Sequence, residues 1–251
     1  MKILSGVVLT VGLLALLGGA GVLTWGCWTA YWHYATLSTG RSAEFVNPLP
    51  ILIGGGAILA AGGFFAGLGL EQATRPAVAA WRARRLAATG ATAVVDLGCG
   101  LGTDALAFAD AGLGVVAVER DPVTATLAAA NLAGRAEVQL GDAEDCWPGL
   151  AQPGVAVFCD PARRTARGRS WRVEDLTPSW DFVRGLLDGS RPGVVKLGPG
   201  VPLSLIPDDV AAVWVSADGD VVEAGLWAGA GWSAGERSAV LLPGGQVLIA
   251  P

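Results

Sequence analysis

Two rhythms of apolar residues run along this chain. From residue 91 onward, short β-branched runs alternate with longer, alanine-rich stretches. The short runs predict strands at 93–97, 115–119, 136–140, 155–159 and 193–197, and the longer stretches predict helices at 103–111, 122–133 and 179–189. A loop and short turn follow the third strand, and an arginine-rich loop follows the fourth. Strands alternating with helices imply a parallel sheet with helices on both faces. The end of the chain differs: 211–216, 221–227 and 238–242 are strand-like, with no helix between the last two. Asp218-Gly219 between two apolar runs is a hairpin turn signal. The expectation is an α/β domain, mostly parallel with an antiparallel end.

The other rhythm lies near the N-terminus. Residues 3–25 and 49–70 carry no charge, and each run is long enough for a membrane span of ~20 residues. A signal peptide is the alternative for the first run. Gly54, Gly55, Gly56, Gly62 and Gly63 would let two helices pack closely. Trp25, Trp28, Tyr31, Trp32 and Tyr34, with His33 among them, lie between the runs as an interfacial belt would. Lys2 on one flank and Arg75, Arg82, Arg84 and Arg85 on the other outweigh Arg41 in the connection, which places both termini in the cytoplasm. The expected organisation is a transmembrane hairpin over 1–70 and an α/β domain over 71–251, at the cell membrane and facing the cytoplasm. A helical approach segment, 71–89, with Pro76 near its start, joins the two.

Composition sharpens this picture in three places. The chain is 52% hydrophobic and 16% charged over 251 residues, and the excess sits in the N-terminal runs. A net charge of −5 argues against general coating of nucleic acid and leaves room for a local basic patch. Cys27, Cys99, Cys146 and Cys159 show neither metal-type spacing nor a disulfide framework, so no metal is expected. The single histidine, His33, lies outside the α/β domain, which argues against a His-based triad.

The chemistry centres on Val94-Val95-Asp96-Leu97-Gly98-Cys99-Gly100-Leu101-Gly102-Thr103-Asp104. This reads as strand, tight turn and helix, with free N–H groups of the helix N-terminus pointing into the turn. A dinucleotide fingerprint needs G-x-G-x-x-G, but Thr103 stands where its third glycine belongs and Gly102 comes one residue early. Asp96, two residues before Gly98, suits a ligand with a cationic amine and suits a pyrophosphate poorly. Ligands of open α/β sheets bind at the carboxyl ends of the strands. The second strand ends on Glu119, ~20 residues past the glycines, where an acid can accept both ribose hydroxyls. The third is followed by Asp142, which can accept an adenine amino group, and Ala143, whose N–H can meet the ring. Each acid alone also reads as a surface turn residue; three in register with one glycine loop are more specific.

The glycine segment resembles motif I of the class I S-adenosylmethionine-dependent methyltransferases, which implies S-adenosylmethionine as cofactor, held by Asp96, Gly98, Gly100, Gly102, Glu119, Asp142 and Ala143. At the fourth strand end, Asp160-Pro161-Ala162-Arg163-Arg164 resembles the D-P-P-R or N-P-P-Y motif IV of methyltransferases acting on nucleobases. Ala162 replaces the second proline, and no aromatic residue follows. Asp160 would then orient the nucleophile or take its proton; the plainer reading is a turn cap before Pro161. Arg163, Arg164, Arg167, Arg169 and Arg172 surround Trp171, a composition suited to phosphate contact and base stacking, or else a solvated charge run. Lys196, before Gly198-Pro199-Gly200, lies on the same rim and either meets a substrate phosphate or is a surface lysine. These segments, with Glu174-Asp175 and Trp214-Val215-Ser216, resemble one bacterial subgroup of these methyltransferases that carries a C-terminal THUMP-like domain, associated with RNA binding. The expectation is that this domain, which would follow Gln246–Pro251, is missing here. The expected function is methyl transfer to a nucleobase in RNA by a membrane-anchored domain. The alternatives are a cofactor-binding remnant without activity and a lipid or small-molecule methyltransferase.

Overall fold

In a computed structural model of the chain the described residues are Val22, Trp25, 74–163 and 172–250, with the side chain of Arg163 left out. The chain divides into two units, Met1–Ala73 and Thr74–Pro251, and the architecture below is that of the second.

The expected transmembrane hairpin is corrected. Among the described residues no helix is long and apolar enough to cross a membrane. The longest described helix, α1 (Pro76–Ala87), has 12 residues and carries Arg82, Arg84 and Arg85. It spans about 18 Å against a hydrocarbon layer of ~30 Å. Residues 3–25 and 49–70 lie outside the described residues, apart from Val22 and Trp25. The expected location at the cell membrane rested on those spans and is corrected with them. The fold class of the described unit is a Rossmann-like α/β sheet.

That sheet has nine strands in the order β11-β10-β8-β9-β7-β4-β1-β2-β3. They are β1 (Ala93–Leu97), β2 (Gly114–Glu119), β3 (Glu137–Leu140), β4 (Val155–Cys159), β7 (Gly193–Leu197), β8 (Ala211–Ala217), β9 (Asp220–Ala228), β10 (Arg237–Leu242) and β11 (Gln246–Ile249). A separate two-stranded ribbon pairs β5 (Ala162–Arg163) with β6 (Leu176–Thr177). Strands β3, β2, β1, β4 and β7 are parallel. β9 lies antiparallel between β7 and β8, so the inserted strand is not the last one, and β10 and β11 extend the sheet beyond it. Asp218 and Gly219 both have positive φ, 56° and 89°, as a tight hairpin turn between right-twisted strands requires.

The remaining helices are α2 (Thr103–Asp110), α3 (Pro122–Leu132), α4 (Ala143–Leu150) and α5 (Trp180–Gly185). Each of α2, α3 and α4 starts immediately after a strand-end turn that carries a candidate site residue. Asp121 caps α3, accepting from the Thr124 N–H at 2.7 Å, with Pro122 in the first turn. Asp142 caps α4 by accepting from the Glu144 N–H at 3.0 Å. The sequence reading placed only a loop and short turn where α4 stands. Its Pro148-Gly149 signals a turn, but the Asp142 cap and the acids Glu144 and Asp145 in the first turn favour a helix start.

The two faces of the sheet differ in kind. Val95, Leu97, Val157, Cys159, Val195 and Leu197 pack with Ala143, Val183 and Leu187 in an apolar core under α4 and α5. Because side chains alternate along a strand, Val94, Asp96, Phe158 and Lys196 point the other way. There Phe158 meets Phe108 of α2, edge to face, at 5.4 Å between ring centres. Gly225 stands opposite Lys196 in the β7–β9 register, and a Cβ on it would lie 2.6 Å from the indole nitrogen of Trp227. Trp227 is buried and stacked on Trp232 at 4.3 Å, so it has little freedom to yield. Gly225→Ala is expected to cost about 1–3 kcal/mol by overpacking; a shift in the urea midpoint would measure it.

Candidate active site

The order of the sheet reverses direction beside β1, which has β2 on one side and β4 on the other. Such a switch point opens a crevice at the carboxyl ends of the strands, and the glycine loop leaves β1 there. Gly98, Gly100 and Gly102 have φ of 81°, 55° and 85°, values that L side chains adopt only with strain. The Gly98 and Cys99 N–H groups both donate to the Val118 carbonyl, at 2.9 and 3.0 Å, which ties the loop to β2. Gly102 caps α2, and a Cβ there would press on Leu132 of α3 at 3.1 Å. A Cβ on Gly100 would meet nothing within 4 Å, so the middle of the loop faces open space.

Glu119 ends β2 with its carboxylate already oriented. One oxygen accepts from the Gly100 N–H at 3.0 Å and the other from the Asp121 N–H at 2.9 Å. Each oxygen keeps a lone pair for a further donor. Asp142 uses one oxygen to cap α4, and Ala143 is buried behind it. The structure therefore places Asp96, the three glycines, Glu119, Asp142 and Ala143 at three neighbouring strand ends.

Asp96 is the anomaly of this face. It is fully buried, and neither carboxylate oxygen has a hydrogen-bond partner among the described residues. Burial, with Asp104 and Asp160 adding repulsion, pushes its pKa well above the usual carboxylate range; Arg82 and Lys196 oppose the shift and do not cancel it. A buried, unpartnered carboxylate is costly. Its chemistry fits a ligand that brings a positive amine to the glycine loop, and the amino-acid end of S-adenosylmethionine is such a ligand.

Around Asp96 lies a charged cluster that the sequence reading missed. Arg82 of α1 is fully buried; its guanidinium donates to Asp104 of α2 and, at 2.6 and 2.5 Å, to both oxygens of Glu223 on β9. It also lies over the Phe158 ring at 4.7 Å. Burial lowers the Arg82 pKa, but Asp104 and Glu223 outweigh it and the guanidinium stays charged. Asp104 accepts from the Thr74 hydroxyl at 2.6 Å, and that hydroxyl accepts from the Lys196 ammonium at 3.1 Å. Lys196 in turn donates to Asp160 at 2.5 Å. The expectation that Arg82 flanks a membrane span is therefore corrected: it is an interior cation. Arg75, counted with it, pairs at the surface with Asp218 and Asp220, at 3.4 and 3.1 Å. A signal was present in Val94-Val95-Asp96, Val194-Val195-Lys196 and Val221-Val222-Glu223. A charge in the same place within three apolar strands implies a polar seam on one face of the sheet.

Asp160 follows β4, and its carbonyl oxygen lies 3.7 Å from where a Gly98 Cβ would stand. The motif after β4 thus adjoins the glycine loop. A cavity of about 180 Å³ opens beside it, lined by Asp160, Pro161, Leu176, Lys196, Gly198 and Val222. Of the expected acceptor-binding residues, Lys196 reaches this cavity. Arg163 lies in β5 with its side chain undescribed, and Arg164 and Trp171 fall outside the described residues. Arg172 is exposed. No group of side chains that could hold a metal ion occurs among the described residues.

No family model matches the chain. Proteins of two Mycobacterium tuberculosis strains, CDC 1551 / Oshkosh and H37Rv, both named uncharacterized S-adenosylmethionine-dependent methyltransferase, are 34% identical over 189 residues. The match covers 70% of this chain and 49% of theirs, so the chain spans about half the length of these curated relatives. Among solved structures, a putative methyltransferase from Porphyromonas gingivalis W83 aligns with a TM-score of 0.57 at 20% identity, over 92% of this chain and 64% of that one. The described unit has the fold of the class I S-adenosylmethionine-dependent methyltransferases and is similar in sequence to proteins named for that activity.

Proposed function

We propose that this unit transfers a methyl group from S-adenosylmethionine to a nucleobase in RNA. The observation that carries the cofactor half is Asp96, a buried carboxylate with no hydrogen-bond partner among the described residues, beside three left-handed glycines. For the acceptor half, support comes from Asp160-Pro161-Ala162-Arg163 at the neighbouring strand end, the cavity beside it and the arginines that follow.

When bound, S-adenosylmethionine supplies a methyl group already activated on a sulfonium. What remains for the protein is binding, orientation and handling of a proton. Asp96 would hold the ammonium. Glu119, fixed by two backbone N–H groups, would accept the two ribose hydroxyls. The oxygen of Asp142 not used in the cap would accept the adenine amino group, with the Ala143 N–H at the ring. Asp160 would orient the acceptor nitrogen and take its proton. The arginines around Trp171 would hold phosphate. The hairpin that motivated a lipid acceptor is corrected above; a small-molecule acceptor stands as the alternative substrate class.

The test is to incubate purified protein with methyl-labelled cofactor and total RNA, with calorimetry of cofactor binding alongside. Label in RNA bases is the expected result. Bound cofactor with no transfer to RNA would leave the inactive-remnant and small-molecule readings in its place. In the same calorimetry, Glu119→Ala is expected to weaken cofactor binding by about 1.5–3 kcal/mol, the range for hydrogen bonds to a charged group. Unchanged affinity would remove Glu119 from the site.

A further inference from the structure

Lys196 stands in a position that a phosphate anchor would not occupy. A lysine ammonium has three N–H donors. Asp160 Oδ2 takes one at 2.5 Å and the Thr74 hydroxyl takes a second at 3.1 Å. A phosphate approaching the ammonium would come to lie against the Asp160 carboxylate, and like charges at that range repel. Burial lowers the Lys196 pKa, but Asp160 and Asp104 outweigh it and raise it, so the ammonium keeps its proton and its three donors.

Two hydrogen-bonding groups of the Lys196–Asp160 pair remain unused among the described residues: the third N–H of Lys196 and Oδ1 of Asp160. Both residues line the cavity, so its wall presents a donor beside an acceptor. We infer that Lys196 is a specificity-determining residue: it donates to the ring nitrogen next to the amino group being methylated, while Asp160 accepts from that amino group. This rests on the nucleobase reading above. The complementary edge is N6–H with N1 of adenine, N4–H with N3 of cytosine, or N2–H with N3 of guanine. Uracil and the N1 edge of guanine offer a ring N–H beside a carbonyl, and that nitrogen must lose its proton before it can attack. An amino nitrogen attacks with its own electron pair. The new bond is N–CH₃, the broken bond is C–S with its pair left on sulfur, and the surplus proton passes from nitrogen to Asp160 and on to water. A carboxylate suffices for that late proton and is too weak a base for the early one.

The test uses the whole chain, S-adenosylmethionine and oligoribonucleotides carrying the labelled base or its deaza analogue, 1-deazaadenine, 3-deazacytosine or 3-deazaguanine. In the wild type, loss of the ring nitrogen should lower kcat/KM about ten- to a hundredfold, as expected for a hydrogen bond to a charged donor. In Lys196→Met the same analogue should cost less than about threefold, because the donor is already gone. Lys196→Gln, which keeps an N–H donor, should restore part of the discrimination. Cooperative thermal unfolding near the wild-type midpoint in both variants reports that they fold. If Met does not fold, a weaker deaza effect in Lys196→Gln than in the wild type carries the same conclusion. An equal deaza penalty in wild type and variant overturns the assignment. Label in uracil or on a ring nitrogen of guanine overturns it as well and leaves the nucleobase reading standing. Bound cofactor with no labelled base overturns that reading, and this inference with it.

Discussion

Replacing Arg82 with alanine is expected to lower the unfolding free energy of the second unit by about 3–5 kcal/mol, the range for removing one partner of a buried ion pair. The change strands two buried carboxylates at once, Asp104 and Glu223, in a region that already contains Asp96 and Asp160. It also removes the cation over Phe158. Urea unfolding at neutral pH would measure the loss, and a deficit below about 1 kcal/mol would mean that the carboxylates find other partners. The opposite design makes a sharper contrast. Arg82→Met combined with neutral, shape-matched replacements at Asp104 and Glu223 should recover much of the loss, since a buried ionic cluster stabilises little beyond an apolar one of equal volume.

Asp96→Asn should act in opposite directions on stability and on cofactor binding. In the free protein the folded-state pKa of Asp96 is raised above its unfolded value. An acid shifted upward carries no penalty below its unfolded pKa of about 3.9. As pH rises from there toward the folded pKa, the unfolded chain releases its proton first and stability falls. Asn has no such proton, so the variant should match the wild type near pH 4 and exceed it in thermal stability near pH 8. The cofactor should respond the other way. An ammonium beside Asp96 stabilises its ionised form, so binding to the wild type should release a proton, visible as a dependence of the calorimetric heat on the buffer's ionisation enthalpy. The groups facing Asp96 are Asp104 on α2, Asp160 after β4, Arg82 on α1 and Lys196 on β7, so the proton released belongs to the cluster that Asp96 leads. In Asp96→Asn the release should vanish and affinity should drop by about 3–5 kcal/mol. Unaltered affinity in the variant would show that the amine does not bind there.

What was legible in the sequence followed from short-range rules. The five strands of the parallel half end within a residue or two of the positions read from apolar runs. The glycine loop was visible because positive φ restricts the choice of residue. Less legible was anything set by partners distant in the chain. Arg82 looks like its neighbours Arg84 and Arg85 until β9 supplies Glu223, 141 residues later. Lys196 looks like a rim cation until β4 places Asp160 beside it. The long apolar run at 49–70 met the composition rule for a span, and it lies outside the described residues. β11 escaped notice because four exposed residues at a sheet edge carry little alternation.

The position of Glu223 also bears on how the polypeptide is made. Ribosomes add about 5–20 residues each second, so roughly 7–28 s separate the emergence of Arg82 from that of the glutamate that neutralises it. Over that interval α1 has a cation to bury and only Asp104 to receive it. Its docking must wait for a strand inserted between two others late in the chain, a strongly non-local step of the kind that slows folding. A nascent chain arrested before residue 223 would leave α1 undocked and the Phe158 face of the sheet open to chaperones and proteases.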